Sequence, residues 1–111
     1  MKPLTPPVFH ILLALADGER HGYAIMQDVL HQTNGQVHLG PGTLYGCLKR
    51  MLTAGLVQDL GERAVPGADE RRRYYRITGS GREAAAAEMD RMASALEAAR
   101  IKGVTSFEGG R

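Results

Sequence analysis

Hydrophobic positions recur at helical spacing through the first half of the chain. Residues 8–15 are apolar almost all round and follow a hydroxyl cap at Thr5 and two prolines, which predicts a core helix ending near Ala16. The segment from His21 to Gln32 is amphipathic, because its apolar and polar residues fall on opposite helical faces. A third helix is predicted from Pro41 to Ala54, where an apolar stripe ends at a glycine.

Other segments alternate with a period of two, as strands do. Residues 37–39 alternate like a very short strand. Residues 56–62 and 71–77 are β-rich and are separated by a Pro-Gly turn, which predicts a hairpin with a long tip. Thr78 and Ser80 both offer a cap for an Ala-rich helix that continues to about Ile101. Residues 103–111 lack periodicity and are predicted to form a flexible tail.

The order of these elements predicts the fold. Helix, helix, short strand, helix, hairpin and long helix is the order of a winged helix-turn-helix. In that fold the third helix enters the DNA major groove and the hairpin, or wing, reaches the neighbouring backbone. We therefore predict a mainly α protein with a small β-hairpin (α+β), with residues 1–77 as the winged domain and residues 78–102 as an added C-terminal dimerisation helix.

Composition excludes several classes of protein. With 43% hydrophobic and 23% charged residues, the chain lies outside the range of disordered proteins. Its single cysteine, Cys47, excludes an internal disulfide. The longest apolar run, residues 11–16, is far shorter than the ~20 residues of a membrane span, and no signal-peptide pattern is present. We therefore expect a cytoplasmic protein with no membrane partner.

Positive charge is concentrated in one segment, although the net charge is only +2. Between Pro41 and Arg76 there are seven Lys and Arg against four Asp and Glu. In this segment the third helix carries small, hydrogen-bonding and cationic residues of the kind that contact base edges. The candidates are Thr43, Tyr45, Gly46, Lys49 and Arg50. The alternative is a solvated helix face that happens to carry one Lys and one Arg.

The second strand of the hairpin is strongly basic. Residues 71–76 contain four arginines and two tyrosines. Exposed arginines on a wing would neutralise DNA phosphates, and Arg71, Arg72 and Arg73 are the candidates. The tyrosines are predicted to pack under the wing, because Tyr75 is in phase with Ile77. The alternative for the arginines is pairing with the hairpin's own acidic residues, which are Asp59, Glu62, Asp69 and Glu70.

The last helix carries an apolar stripe with spacings of four and three, which is the seam of a helix laid along a partner helix. Its members are Ala85, Met89, Met92, Leu96 and Ala99. The alternative is a stripe that packs only on its own domain. We favour a homodimer, because a helix of this length, at ~1.5 Å per residue, is longer than so small a domain can cover.

Motifs of catalysis are absent from the sequence. The four histidines and Cys47 lack the short-range spacing of a metal site, and no hydrolase, nucleotide-binding or zinc-protease signature occurs. We therefore expect a protein that is not an enzyme and that needs no cofactor or metal.

Four short motifs, in order along the chain, resemble one family. They are His21-Gly22-Tyr23, Pro41-Gly42-Thr43-Leu44-Tyr45, Gly55-Leu56-Val57, and Arg72-Arg73-Tyr74-Tyr75-Arg76-Ile77-Thr78 with Gly81. Together they resemble the PadR family of transcriptional regulators over about residues 8 to 100. The resemblance implies a winged-helix repressor that dimerises through its C-terminal helix and binds an inverted-repeat operator, in the short form with a single C-terminal helix. The tryptophans with which drug-sensing relatives stack planar ligands are not present in this chain.

The leading hypothesis is a homodimeric, sequence-specific regulator whose partner is double-stranded operator DNA. Release by an unidentified small-molecule effector at the dimer interface is a further hypothesis. The alternative function is an architectural or protein-interaction winged helix without operator specificity. Equal binding to operator and scrambled DNA would favour that alternative.

Overall fold

A computed structural model describes residues 3–104 of the protein. These residues form four helices and three strands, which are α1 (Pro6–Ala14), β1 (Arg20–His21), α2 (Gly22–Gln32), α3 (Pro41–Thr53), β2 (Val57–Ala64), β3 (Arg71–Ile77) and α4 (Gly79–Lys102). The predicted α+β class and winged helix-turn-helix are confirmed, since α2 and α3 are followed by a hairpin and a long helix.

The hydrophobic core lies around α1. Ile11 and Leu12 are completely buried, as the all-round apolar pattern predicts. They pack with the inward stripes of α2 and α3 and with the base of the hairpin. Thr5 precedes α1, but its side chain makes no capping hydrogen bond, so the predicted hydroxyl cap is wrong. Prolines occupy the first two helical positions, so the N–H of the second position, one of the two that such a cap accepts, is missing.

The sheet has three antiparallel strands in the order β1-β3-β2. The hairpin of β2 and β3 is the wing, and its register is interrupted by a bulge between Asp59 and Gly61. Gly61 adopts a φ of +86°, which favours glycine, and its N–H donates to Asp59 Oδ1 at 2.7 Å. A bulge of this kind increases the local twist of a hairpin.

The third strand is not the one that the sequence pattern predicts. Residues 37–39 form no strand, because the Val37 N–H donates to the Thr33 hydroxyl at 3.0 Å and Leu39 is buried in the core. The edge of β3 is occupied instead by β1, in which His21 pairs with Tyr74. This pairing places the start of α2 against the wing.

The long helix α4 begins at Thr78, whose hydroxyl accepts from the Gly81 N–H at 3.0 Å. Thr78, and not Ser80, is therefore the cap. Only the first turns of α4 are buried, at Gly81, Ala84 and Ala85. The helix has 24 residues, which at ~1.5 Å per residue gives a rod of about 36 Å. It ends at Gly103, and the remainder of the predicted tail, residues 105–111, lies outside the described residues.

Candidate nucleic-acid interface

The outward face of α3 carries the predicted base-reading residues. Its inner stripe of Leu44, Cys47, Leu48 and Met51 is buried, which turns the other side of the helix to solvent. Thr43, Tyr45, Lys49 and Arg50 are exposed and Gly46 is half-buried. Among residues 3–104, no salt bridge involves Lys49 or Arg50. Both cations are therefore available to an anionic partner.

Tyr45 is held in place by its contact with the start of α2. A methyl group at Gly22 would lie 2.9 Å from Tyr45 Cζ and 3.3 Å from Leu44 Cδ2, so only glycine leaves room for the ring. The remainder of the Tyr45 side chain is open to solvent, with 46% of the residue exposed. The contact with Gly22 thus fixes the position of the Tyr45 phenol on the outward face of α3.

The predicted wing arginines are paired with acidic side chains. Arg71 Nε lies 3.4 Å from Glu62 Oε1, Arg72 Nε lies 3.1 Å from Glu70 Oε2, and Arg73 Nη1 lies 3.0 Å from Asp59 Oδ2. Pairing of the arginines within the hairpin, which the sequence left open, therefore occurs in the structure. Each of these pairs is partly exposed, and exposed ion pairs are weak enough to exchange for another anion.

The two tyrosines of the wing pack differently. Tyr75 is 4% exposed and lies in the core, as its phase with Ile77 predicts, and burial raises the pKa of its phenol. Tyr74 is half-buried and meets the His21 ring edge to face at 5.4 Å between centroids. The Arg63 guanidinium lies 4.6 Å above the Tyr74 ring and also pairs with Glu19.

A cleft of about 600 Å³ lies between the wing and the N-terminal turns of α2 and α3. It is lined by Tyr45, by Tyr23 at the start of α2, and by Arg71, Arg72 and Arg73 of the wing. The structure thus brings together the wing arginines and one member of the predicted α3 set. It also adds His21, Tyr23, Glu62 and Glu70 to the lining.

His21 is the residue of this cleft that sequence reasoning missed as a functional candidate. Its Nδ1 accepts from the Ala24 N–H at 3.2 Å and caps α2, while its Nε2 lies 2.8 Å from Arg72 Nη1. Burial and the nearby Arg72 lower the pKa of His21, which keeps the ring neutral. No signal in the sequence joins His21 to Arg72, because their contact depends on the short β1 strand.

The predicted dimerisation stripe of α4 divides into two parts. Ala85 is buried in the core of its own chain, whereas Met89, Met92 and Leu96 are 47%, 46% and 52% exposed. Ala99 is half-buried. The stripe therefore packs on its own domain only at its beginning, and an apolar strip further along α4 has no covering among residues 3–104.

The start of the chain is fastened to the base of this strip. The Leu4 N–H donates to Glu88 Oε1 at 2.9 Å, and Arg91 Nη2 donates to the same oxygen at 2.7 Å. These two donors hold the pKa of Glu88 below its usual range. The contacts fix the direction in which α4 leaves the core.

The described part of the chain shows neither a metal-binding cluster nor a membrane-spanning helix. In residues 3–104, no cluster of three or more His, Cys, Asp or Glu side chains is arranged to hold a metal ion. The same residues contain no helix that is both long and apolar enough to span a membrane.

Comparison with known families decides the identity of the fold. The sequence profile of the PadR-like transcriptional regulator family matches residues 11–87. The chain belongs to the PadR-like family. The matched region runs from the core of α1 through α2, α3 and the wing to the first turns of α4, so it contains the whole cleft.

Solved structures agree with membership of the PadR-like family. A PadR family transcription regulator from Clostridium difficile has a TM-score of 0.72 and 21% identity, over 86% of this chain and 96% of that one. Bacillus subtilis PadR, in complex with operator DNA, has a TM-score of 0.60 and 21% identity, over 77% of this chain and 45% of that one. At these identities the likeness shows the same fold.

A relative of higher identity comes from Streptomyces fradiae. It is an uncharacterized 37.1 kDa protein of the transposon TN4556, 42% identical over 83 residues, which is 75% of this chain. The chain spans about a fifth of the length of that relative, since the matched part is 22% of it. The similarity therefore concerns only part of a much longer protein.

Proposed function

We propose that this PadR-like regulator is a sequence-specific DNA-binding protein, a homodimeric repressor of an inverted-repeat operator. The observation that carries the proposal is the cleft, because it brings Tyr45 of α3 together with three arginines of the wing, while Lys49 and Arg50 are exposed further along the same helix. A duplex that received α3 in its major groove would pass its backbone between helix and wing. The operator-bound Bacillus subtilis PadR, which has the same fold, supports DNA as the partner.

In this proposal each element has its own role. Thr43, Tyr45, Gly46, Lys49 and Arg50 approach base edges, since they lie on the outward side of α3. The arginines of the wing bind phosphate after leaving their carboxylate partners. The DNA-binding winged domain comprises residues 1–77, and the dimerisation segment, which contains α4, comprises residues 78–102. The protein acts in the cytoplasm, without an enzymatic activity.

Homodimer formation is supported by the exposed strip of Met89, Met92 and Leu96. Large apolar side chains aligned on a projecting helix are typical of a surface that packs against a second helix. Because the same strip recurs on a second copy, two α4 helices would cover one another and fix the spacing of the two reading helices. Release by a small-molecule effector would act by changing that spacing.

Substitution on α3 tests the proposal. We expect Lys49→Ala and Arg50→Ala each to weaken binding to the operator by about 1–3 kcal/mol without lowering the melting temperature. Lys102→Ala is the matched control, since it removes an exposed cation at the far end of α4. Unchanged affinity of both α3 variants in fluorescence anisotropy would remove α3 from the reading role. Equal binding to operator and scrambled DNA would favour the architectural alternative.

A further inference from the structure

His21 faces more hydrogen-bond donors than its ring can accept. The Ala24 N–H lies 3.2 Å from Nδ1, and Arg72 Nη1 lies 2.8 Å from Nε2. A neutral imidazole has one nitrogen with a free lone pair, and its other nitrogen carries a proton. Only one of the two donors can therefore be accepted at a time. When Nδ1 caps α2, the Nε2–H and the Arg72 guanidinium are two donors that face each other.

An acceptor placed between these two donors would satisfy both. Arg72 is held on its other side by Glu70, which takes the Nε edge at 3.1 Å, and its Nη2 has no hydrogen bond among the described residues. The guanidinium is thus oriented, but two of its nitrogens lack a suitable acceptor. A phosphate oxygen accepts several hydrogen bonds and carries negative charge, so it fits a site formed by a guanidinium and an N–H group.

The position of the pair agrees with a backbone phosphate. His21 and Arg72 both line the cleft, together with Tyr45 of α3. Arg71 and Arg73 line it too, but Glu62 lies near both of them and Asp59 accepts from Arg73 at 3.0 Å. Of the three arginines that line the cleft, Arg72 has the least exposed side chain, at 34% against 61% for Arg71 and 44% for Arg73. The Arg72 side chain therefore loses less conformational entropy than the other two when it binds a phosphate.

We propose that His21 and Arg72 form one binding site for a DNA backbone phosphate, with Arg72 as the wing arginine that makes the contact. When phosphate binds, the Arg72 guanidinium donates to the phosphate instead of facing His21 Nε2. His21 then keeps its proton on Nε2, and its Nδ1 remains free to accept from the Ala24 N–H and cap α2. The Nε2–H then donates to the same phosphate. This inference rests on the proposed function, since it names the residues that hold the DNA backbone.

Three variants test the site by anisotropy titration of a duplex at several salt concentrations. Arg72→Gln should weaken binding at least about tenfold and reduce the slope of log affinity against log salt by about one. Arg76→Gln is the matched control, since it removes the same charge from an exposed arginine of β3 that does not line the cleft, and it should leave the slope unchanged. His21→Asn keeps an acceptor for the cap but cannot reach the cleft, so it should lose affinity with an unchanged melting temperature.

A double variant and a small-anion titration complete the test. The double variant His21→Asn with Arg72→Gln should bind little worse than Arg72→Gln alone, because both groups act on one phosphate. Inorganic phosphate, compared with chloride at equal ionic strength, should shift the Ala24 amide resonance of the native protein and not that of Arg72→Gln. An Arg76→Gln loss equal to that of Arg72→Gln, or additive losses in the double variant, would overturn the shared site and leave DNA binding intact.

Failure of the proposed function would look different. Absence of binding to any duplex would contradict DNA recognition itself. The titration with inorganic phosphate then tests the His21–Arg72 phosphate site independently of DNA. A resonance shift confined to the native protein would support it, and no shift would overturn it.

Discussion

Replacement of Gly81 by Ala should loosen the attachment of α4 to the wing. Gly81 is buried in the first turn of α4, directly against the chain that leads into β2. An added methyl carbon would lie 2.8 Å from Ile77 Cγ1 and 3.1 Å from the carbonyl carbon of Leu56, and closer still to the Leu56 oxygen. Ordinary contact begins at 3.4 Å, so the shortfall at Ile77 alone is about 0.6 Å.

The backbone of Leu56 cannot shift easily to make room for this methyl group, because hydrogen bonds hold the segment in place. The Leu56 oxygen accepts from the Thr78 N–H at 3.1 Å, and the Thr78 hydroxyl donates to the Gly55 oxygen at 2.6 Å. Overpacking of this kind costs about 1–3 kcal/mol, and loss of the Leu56 hydrogen bond adds about 1 kcal/mol. Alanine returns about 1 kcal/mol through its higher helix propensity. The net loss is therefore about 1–3 kcal/mol.

Thermal denaturation followed by circular dichroism at fixed protein concentration measures this loss. A fall in melting temperature of about 4–12 °C is expected for Gly81→Ala. Gly79→Ala is the control, because nothing lies within 4 Å of a methyl group there, and it should leave the melting temperature unchanged or slightly raised. A Gly81→Ala protein as stable as the native one would refute the reasoning, as would equal losses in the two variants.

Two further predictions concern assembly and pH. Completing the burial of Met92 and Leu96 in a dimer stabilises it by about 1 kcal/mol per side chain, so glutamates at both positions should give a particle of 12.0 kDa by light scattering. Glutamates at Ser94 and Ala98, on the opposite side of α4, should leave the dimer intact, and a dimer that survives the first pair of changes would contradict the α4 interface. The fold lowers the pKa of His21 from 6.5, so the folded protein favours the neutral ring. The contribution of the neutral ring to the stability of the fold is complete above the unfolded pKa of 6.5. It is lost as the pH falls through the lower pKa of the folded state. When the pH is lowered from about 7.5 to about 5.5, the melting temperature of His21→Asn should therefore fall by less than that of the native protein. Equal falls in the two proteins would exclude His21 as a source of the pH dependence.

Element order and local pattern were enough to predict most of the fold. The stripes of α1, α2 and α3 repeat at the helical period, and the Pro-Gly turn separates two β-rich runs, so each element is specified by nearby residues. The prediction of a strand at residues 37–39 was wrong, because the alternating pattern does not reveal that the Val37 N–H donates to the Thr33 hydroxyl. β1 could not be predicted, since two residues form a strand only when β3 is beside them.

The candidate site was predictable residue by residue but not as an arrangement. Exposure of Lys49 and Arg50 follows from the amphipathic pattern of α3 alone. Pairing of Arg71, Arg72 and Arg73 with carboxylates depends on the register of the hairpin and on the bulge, which local spacing does not determine. The contact of His21 with Arg72 joins residues 51 positions apart. Long-range contacts of this kind are made by the fold as a whole.

The most direct test of DNA recognition is an anisotropy titration of the native protein with two duplexes. One is the duplex upstream of its own coding sequence and the other is a scrambled duplex of the same composition, each at about 50 mM and about 200 mM salt. A dimeric regulator should prefer the native duplex at both salt concentrations and saturate at two chains per site. Weak binding that is equal for the two duplexes and disappears at the higher salt concentration would contradict sequence-specific recognition.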